Sequence, residues 1–161
     1  MSCLKKLIKY NVAMKYKSFT AMNCSLAQSL EILGERWTLL ILRDAFFGIR
    51  RFEDFLKTGI SRNVLASRLK RLVEEGILEK LPVDGKSSEY RLTNKGLDLQ
   101  PVLLSMTHWG DKYLPHPDGT RIIFEEKATG EPIAPMSAYS ADGRPLNARE
   151  IRGTAGPGAK N

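Results

Sequence analysis

Residues 59–80 read GISRNVLASRLKRLVEEGILEK, and one helix accounts for most of them. Ser61 is placed to cap it, and Leu65, Leu69, Leu72 and Val73 recur at i, i+4, i+7 and i+8, a single apolar stripe that Gly76 closes. At 3.6 residues per turn the opposite face carries Asn63, Ser67 and Lys70, with Arg62 in the first turn and Arg71 on a flank. A helix over 61–76 is therefore expected, greasy inside and small, polar and basic outside.

Working outward, Phe52, Phe55 and Leu56 give a short helix over 51–57 that ends at Gly59. Before it, Trp37 to Phe47 is apolar nearly all round, the pattern of a central helix covered on several sides, stopped by Gly48. A first helix starts near Ser25, with Gln28 completing a capping box, and stops at Gly34. Downstream, ILEKLPV (77–83) alternates, Asp84-Gly85 is a turn signal and Glu89 to Leu92 returns, a hairpin with Lys86 near its tip. Thr93 caps a last helical segment, 94–114, in which Pro101 marks a kink or a restart.

Two short helices joined by a tight glycine turn, the second slim and basic outside, followed by a hairpin, describe a winged helix-turn-helix. The expected class is thus mainly α with a small β-hairpin (α+β) and a turn-rich C-terminal tail. Such a helix suits a major groove about 12 Å wide. Asn63 has the chemistry to pair with adenine and Arg62 with guanine, while Ser61 and Ser67 reach either bases or phosphates. Arg50, Arg51, Lys70, Arg71, Lys86 and Arg91 suit phosphates.

Charge agrees with a polyanionic partner. The 161 residues carry a net charge of +7, and residues 36–71 hold nine bases (Arg36, Arg43, Arg50, Arg51, Lys57, Arg62, Arg68, Lys70, Arg71) against Asp44, Glu53 and Asp54. Arg43 is expected to pair internally, with Glu31 or Glu35. Three segments follow from composition: a basic N-terminal arm or dimerisation helix (1–23) with five lysines and no acid, the winged domain (24–114), and a Gly/Pro-rich tail (115–161). In the tail, Thr129-Gly130-Glu131-Pro132-Ile133 and Asp142-Gly143-Arg144-Pro145-Leu146 look like two turns, each leading into a short strand.

Cys3 and Cys24 supply neither a disulfide framework nor a four-ligand zinc site, and His108 and His116 have no partners at metal spacing. No phosphate-binding loop, dinucleotide fingerprint or nucleophile elbow occurs, so an enzyme is not expected, nor any cofactor. With no signal-like or membrane-spanning apolar run, the cytoplasm is the expected compartment.

The ordered set formed by Cys24, ILGERWTLLILRDAFFGIRRFEDF, GISRNVLASRLKRLVEEGILEK, EYRLTNKG and PVLLSMTHWG resembles the HxlR-type family of bacterial transcriptional regulators. The resemblance covers about 90 of the 161 residues, leaving the tail outside it. It implies a homodimeric repressor or activator with helix 61–76 in the major groove, the wing on the backbone of a pseudo-palindromic operator and the terminal helices at the dimer contact. It also implies a second role for Cys24, because some members sense oxidants or electrophiles through a cysteine just ahead of the first helix. Taken as a residue, Cys24 reads first as a small buried hydrophobe, although a helix N-terminus does favour a thiolate. If the thiol is not the switch, an apolar cleft between the central and terminal helices is the place for a small ligand. The alternative function is a winged-helix module for protein or RNA.

Overall fold

The computed structural model describes residues 18–83, 85 and 87–159. Its helices are α1 (Ser25–Leu33), α2 (Thr38–Phe46), α3 (Phe52–Phe55), α4 (Arg62–Glu74), α5 (Asn94–Leu97) and α6 (Gln100–Tyr113). A hairpin, β1 (Leu78–Pro82) and β2 (Ser88–Leu92), sits between α4 and α5, and a second, β3 (Ala138–Tyr139) and β4 (Pro145–Leu146), lies in the tail. This is the mainly α arrangement with a small antiparallel wing that the sequence predicts. Of the basic arm or dimerisation helix expected over 1–23, residues 1–17 lie outside the described residues, as do Cys3 and Lys86.

The core forms where α4 meets α2, α3 and β1. Leu65, Leu69 and Leu72 are buried against Ile41, Leu42, Ala45, Phe55, Ile60, Ile77 and Leu78, the stripe read from the sequence, while Val73 is half-buried at its edge. Burying each of these side chains contributes about 1.5–3 kcal/mol relative to exposure, so the helix is held by its inner face and its outer face stays free to vary. The turn ahead of α4 is tighter than a regular helix allows: α3 ends after one turn and continues as a 3-10 turn, Leu56–Thr58. Gly59 closes it at φ 87°, a left-handed conformation that costs a residue with a Cβ about 1–2 kcal/mol.

The wing pairs Leu78 with Leu92 through to Pro82 with Ser88. A third piece joins it, since Arg51 bridges Glu89 and the Tyr90 amide donates to the Arg50 carbonyl at 2.8 Å. This short segment carries no alternating pattern, which is why the sequence gives no strand there. Thr93 ends the wing and starts α5: its hydroxyl donates to the Gly76 carbonyl at 2.7 Å and accepts from the Gly96 amide at 3.2 Å. Pro101 lies in the first turn of α6, where a missing N–H is harmless, so it marks a restart and no kink.

Two expectations about the first helices are corrected. Ser25 is the first helical residue and Cys24 the cap, without a side-chain capping bond. Gln28 closes no capping box; its amide instead donates to the carbonyls of Phe19, Thr20 and Met22 at 2.9–3.2 Å, pinning the turn ahead of α1. Helix α2 buries Ile41, Leu42 and Ala45 on one side, yet Leu40 and Phe47 are exposed at 37% and 52%. The central helix is therefore covered on one side within the described chain.

The tail folds back onto this frame. Each glycine turn closes a hairpin: Gly130, φ 74°, below the Glu125–Pro132 bridge, and Gly143, φ 82°, between β3 and β4. Arg121 pairs with Asp111 of α6 at 3.2 Å, Phe124 meets the His108 ring edge-on at 6.1 Å, and the Asn23 amide donates to the Gly158 carbonyl at 3.0 Å. Among the described residues no helix is long and apolar enough to cross a membrane.

Candidate nucleic-acid interface

The outer face of α4 carries Arg62, Asn63, Ala66, Ser67, Lys70 and Arg71, all exposed. Ser61, the cap residue, is exposed too and makes no side-chain capping bond. Ala66 is an addition to the residues expected from sequence. It lies three and four positions from Asn63 and Lys70 on the same face, and a methyl there leaves the centre of the helix slim.

A groove separates α4 from the wing. Ala66, Lys70 and Glu74 form one wall, Lys80 and Tyr90 the other, and Phe52 and Val73 the floor. It continues past Arg51 and Glu53 to Ser87 and Ser88. The fold thus brings together Lys70 from the helix, Arg51 from the segment before α3, and Lys80 from β1. Lys80 was missed in the sequence reading. Its ammonium stands 5.8 Å from the Tyr90 ring, its cross-strand partner, and the hairpin register was the signal that could have found it.

The electrostatics differ from the local excess of +6 in residues 36–71. Seven of those nine bases have a carboxylate within 4.0 Å: Arg43 with Asp44, Arg51 with Glu89, Lys57 with Asp54, Arg62 with Glu53, Arg68 with Glu35, Lys70 with Glu74 and Arg71 with Glu75. Four of the acids, Glu35, Glu74, Glu75 and Glu89, come from outside that window, so a count along the chain overstated the free charge. The expected partner of Arg43 is corrected as well. It bonds Asp44, while Glu35 takes Arg68 and the Glu31 carboxylate accepts from the Phe19 amide.

Most of these pairs are exposed, and exposed pairs hold their partners weakly, so an approaching phosphate can compete for most of these bases. Arg62 is held from two directions. Two parallel bonds of 2.9 and 3.0 Å join its guanidinium to Glu53, and the same group lies 5.3 Å from the Phe52 ring centre. The hydrogen bond and charge of Glu53 raise the Arg62 pKa further above its ordinary value. Arg91 is exposed and shares Glu89 with Arg51, at 3.0 Å.

Arg50 stands apart from this face. It is half-buried and donates to the carbonyl of Ala45, in the last turn of α2, which also accepts from the Gly48 amide, and to that of Ile49 just beyond the helix. Its geometry is that of a helix stop, and it does not join the exposed basic set.

Cys24 is exposed at the N-cap of α1, with extended backbone, φ −146°. Burial as a small hydrophobe, the first reading of that residue, does not hold within this chain. On the far side of the core, a cleft of about 200 Å³ opens between α2 and α6. Leu39, Leu40, Phe46 and Phe47 line one side, Leu103, Leu104 and Met106 the other, and Phe124 of the tail closes one end.

Comparison with known proteins agrees with this geometry. The sequence pattern of the HxlR-like helix-turn-helix family matches residues 32–118. An uncharacterised HTH-type transcriptional regulator of Mycobacterium tuberculosis is 43% identical over 139 residues, covering 84% of this chain and 88% of that protein. The crystal structure of PA1607, described as a candidate transcription factor, superposes with a TM-score of 0.79 at 38% identity, covering 86% of this chain and 99% of that one. Both matches are too long to end before Pro115, so part of the tail is shared with these relatives. The redox regulator HypR in its oxidised form superposes with a TM-score of 0.52 at 27% identity, over 55% of this chain and 96% of that one. By pattern, relatives and fold, the chain belongs to the HxlR-like helix-turn-helix family and is a transcriptional regulator of the HTH type.

Proposed function

We propose that the chain binds duplex DNA as a homodimer, with α4 in the major groove and the wing on the sugar-phosphate backbone. The observation that carries this reading is the exposed, slim face of Asn63, Ala66, Ser67 and Lys70, continuous with a groove whose other wall holds Lys80. Asn and Arg are the side chains that read adenine and guanine in pairs of hydrogen bonds, Ala contacts the thymine methyl, and Lys grips phosphate. The free amides of the first turn of α4, which no side chain caps, add donors for a phosphate.

Dimerisation is supported by α6. Val102, Met106, Trp109 and Tyr113, spaced by four, three and four residues, are 45–59% exposed. That is a heptad-like seam on one side of the helix, and Leu26 and Leu30 of α1 are exposed as well. A monomer in water rarely leaves such a row uncovered. Two protomers then place their α4 helices in successive major grooves, on half-sites about 34 Å apart.

The test is titration of the full chain with a labelled duplex from the DNA beside its own gene. Selective, saturable binding that weakens by orders of magnitude between about 50 and 200 mM salt supports the reading. No duplex binding at any salt overturns it and turns the question to a protein or RNA partner.

A thiol switch at Cys24 is the finer part of the reading, supported by its exposure at the α1 cap and by similarity to a redox regulator. Diamide would take two electrons and two protons from two Cys24 thiols to join the protomers. Loss of DNA on diamide treatment that persists in Cys24→Ser overturns that route. A second reading, a small apolar effector, is favoured by the cleft between α2 and α6, because a ligand there sits between the core helix and the dimer seam.

A further inference from the structure

The Arg62 side chain stands at the first turn of α4, where a winged helix-turn-helix meets its bases, yet it is not free. Glu53 of α3 holds it end-on through both terminal nitrogens, at 2.9 and 3.0 Å, and Phe52 lies under the guanidinium. Both side chains of the pair are largely exposed, at 63% and 68%. An exposed pair does little for the fold, so the cost of fixing two long side chains in one geometry is not repaid there. What the arrangement does accomplish is geometric. Two of the five guanidinium N–H groups are committed, the plane is fixed by carboxylate and ring together, and three donors, Nε–H among them, remain for another acceptor. A guanidinium held in one orientation can match the paired acceptors of a guanine edge; a loose one reaches whichever phosphate is nearest. The carboxylate also cancels the charge that would otherwise draw Arg62 to the backbone.

We infer that Glu53 is a positioning residue for DNA recognition, holding Arg62 to read a base edge and keeping it off the phosphates. The inference rests on the DNA-binding reading above and deepens it by assigning a specificity role to a residue outside the recognition helix. The sequence offered Glu53 only as one of three acids in a basic stretch.

The experiment compares wild type, Glu53→Gln, Arg62→Ala and the double variant, each as the full chain. The probes are a duplex selected by the wild type from a random pool and a random-sequence duplex of equal length. Glu53→Gln keeps the shape of the side chain and removes its charge. It is expected to bind the random duplex several-fold more tightly at 50 mM salt. One added phosphate contact per protomer should also steepen the loss of affinity between 50 and 200 mM by about 3.5-fold per protomer. Discrimination between the two duplexes should fall, and repeat selection should show relaxed preference at one symmetric pair of positions. In the Arg62→Ala background the Glu53 substitution should change nothing.

A Glu53→Gln effect that survives in Arg62→Ala overturns the inference, since the acid would then act as a plain repulsive charge against DNA. Unchanged selectivity and salt dependence in Glu53→Gln overturn it too, while leaving DNA binding in place. Absence of duplex binding by the wild type overturns the inference together with the reading beneath it.

Discussion

Gly96 packs so closely on the end of the helix-to-wing junction that a Cβ there would lie 2.3 Å from the Ile77 carbonyl oxygen and 3.0 Å from the Leu92 side chain. Backbone, not a flexible side chain, blocks the first contact. Gly96→Ala is therefore expected to destabilise the protein by about 1–3 kcal/mol, read as a shift in the urea midpoint. Leu69, fully buried on α4, should cost about 2–5 kcal/mol as Leu69→Ala, by cavity formation. A groove residue should behave differently. Lys80→Ala is predicted to leave the urea midpoint in place and to weaken duplex binding uniformly across sequences, with the salt slope reduced by about one per protomer. At this scale the sequence was informative about type and silent about partners: Asn63, Ser67 and Lys70 were found on one face by periodicity alone. That Glu53 holds Arg62 required the fold, because side-chain partners nine residues apart on different helices leave no local signal; that Arg50 turns back to the carbonyls of Ala45 and Ile49 required the path of the chain after α2, which side-chain type does not encode.

The elements differ in how much of their logic is local. Helix α4, with its cap position, stripe and closing glycine, was legible almost to the residue, as were the two strands of the hairpin. In the tail the sequence reading found the glycine turns at Gly130 and Gly143 and missed the cap that follows them. There Asn147 and Glu150 form a reciprocal capping box around the turn Ala148–Glu150, and Arg144 bonds Glu150 at 2.9 Å. These bonds hold the Glu150 carboxyl below its usual range, foremost through the Asn147 amide. The Ser140 hydroxyl does the same for Asp142 at the neighbouring turn. Since the folded state depresses both, their contribution is present above the ordinary carboxylate range and is lost as pH falls through the lowered values. The protection factors of amides in 138–150, corrected for the intrinsic pH dependence of exchange, should therefore fall below about pH 4 before those of the α4 core do, and equal retention in both regions would count against this. The first helix was read less well. Ser25 and Gln28 fit a capping-box spacing, but the cap falls one residue earlier, at Cys24, so Ser25 is already helical and the Gln28 amide bonds three carbonyls of the preceding turn instead.

For the whole molecule, the deciding feature is an apolar surface that the described residues of one chain leave open. The α6 seam of Val102, Met106, Trp109 and Tyr113 and the cleft beside it flank the core on the side away from α4. In the dimer proposed above, a charge in the seam should separate protomers without unfolding them. Trp109→Glu is predicted to sediment as a monomer at micromolar concentration, to keep its helical circular dichroism, and to lose most of its affinity for a two-half-site duplex. A variant that remains dimeric would place the contact elsewhere.

Periodicity, capping signals and turn chemistry are local, so the sequence by itself determined the helices, the wing and the outward face of α4, and its ordered motifs marked the family. Burial, the closing of surfaces and ion pairs between elements depend on which distant segments meet. Tertiary structure alone decided that Arg51, Arg62 and Arg68 stand beside Glu89, Glu53 and Glu35, that Cys24 stands exposed, and that the tail's Phe124 completes a cleft against α2 and α6.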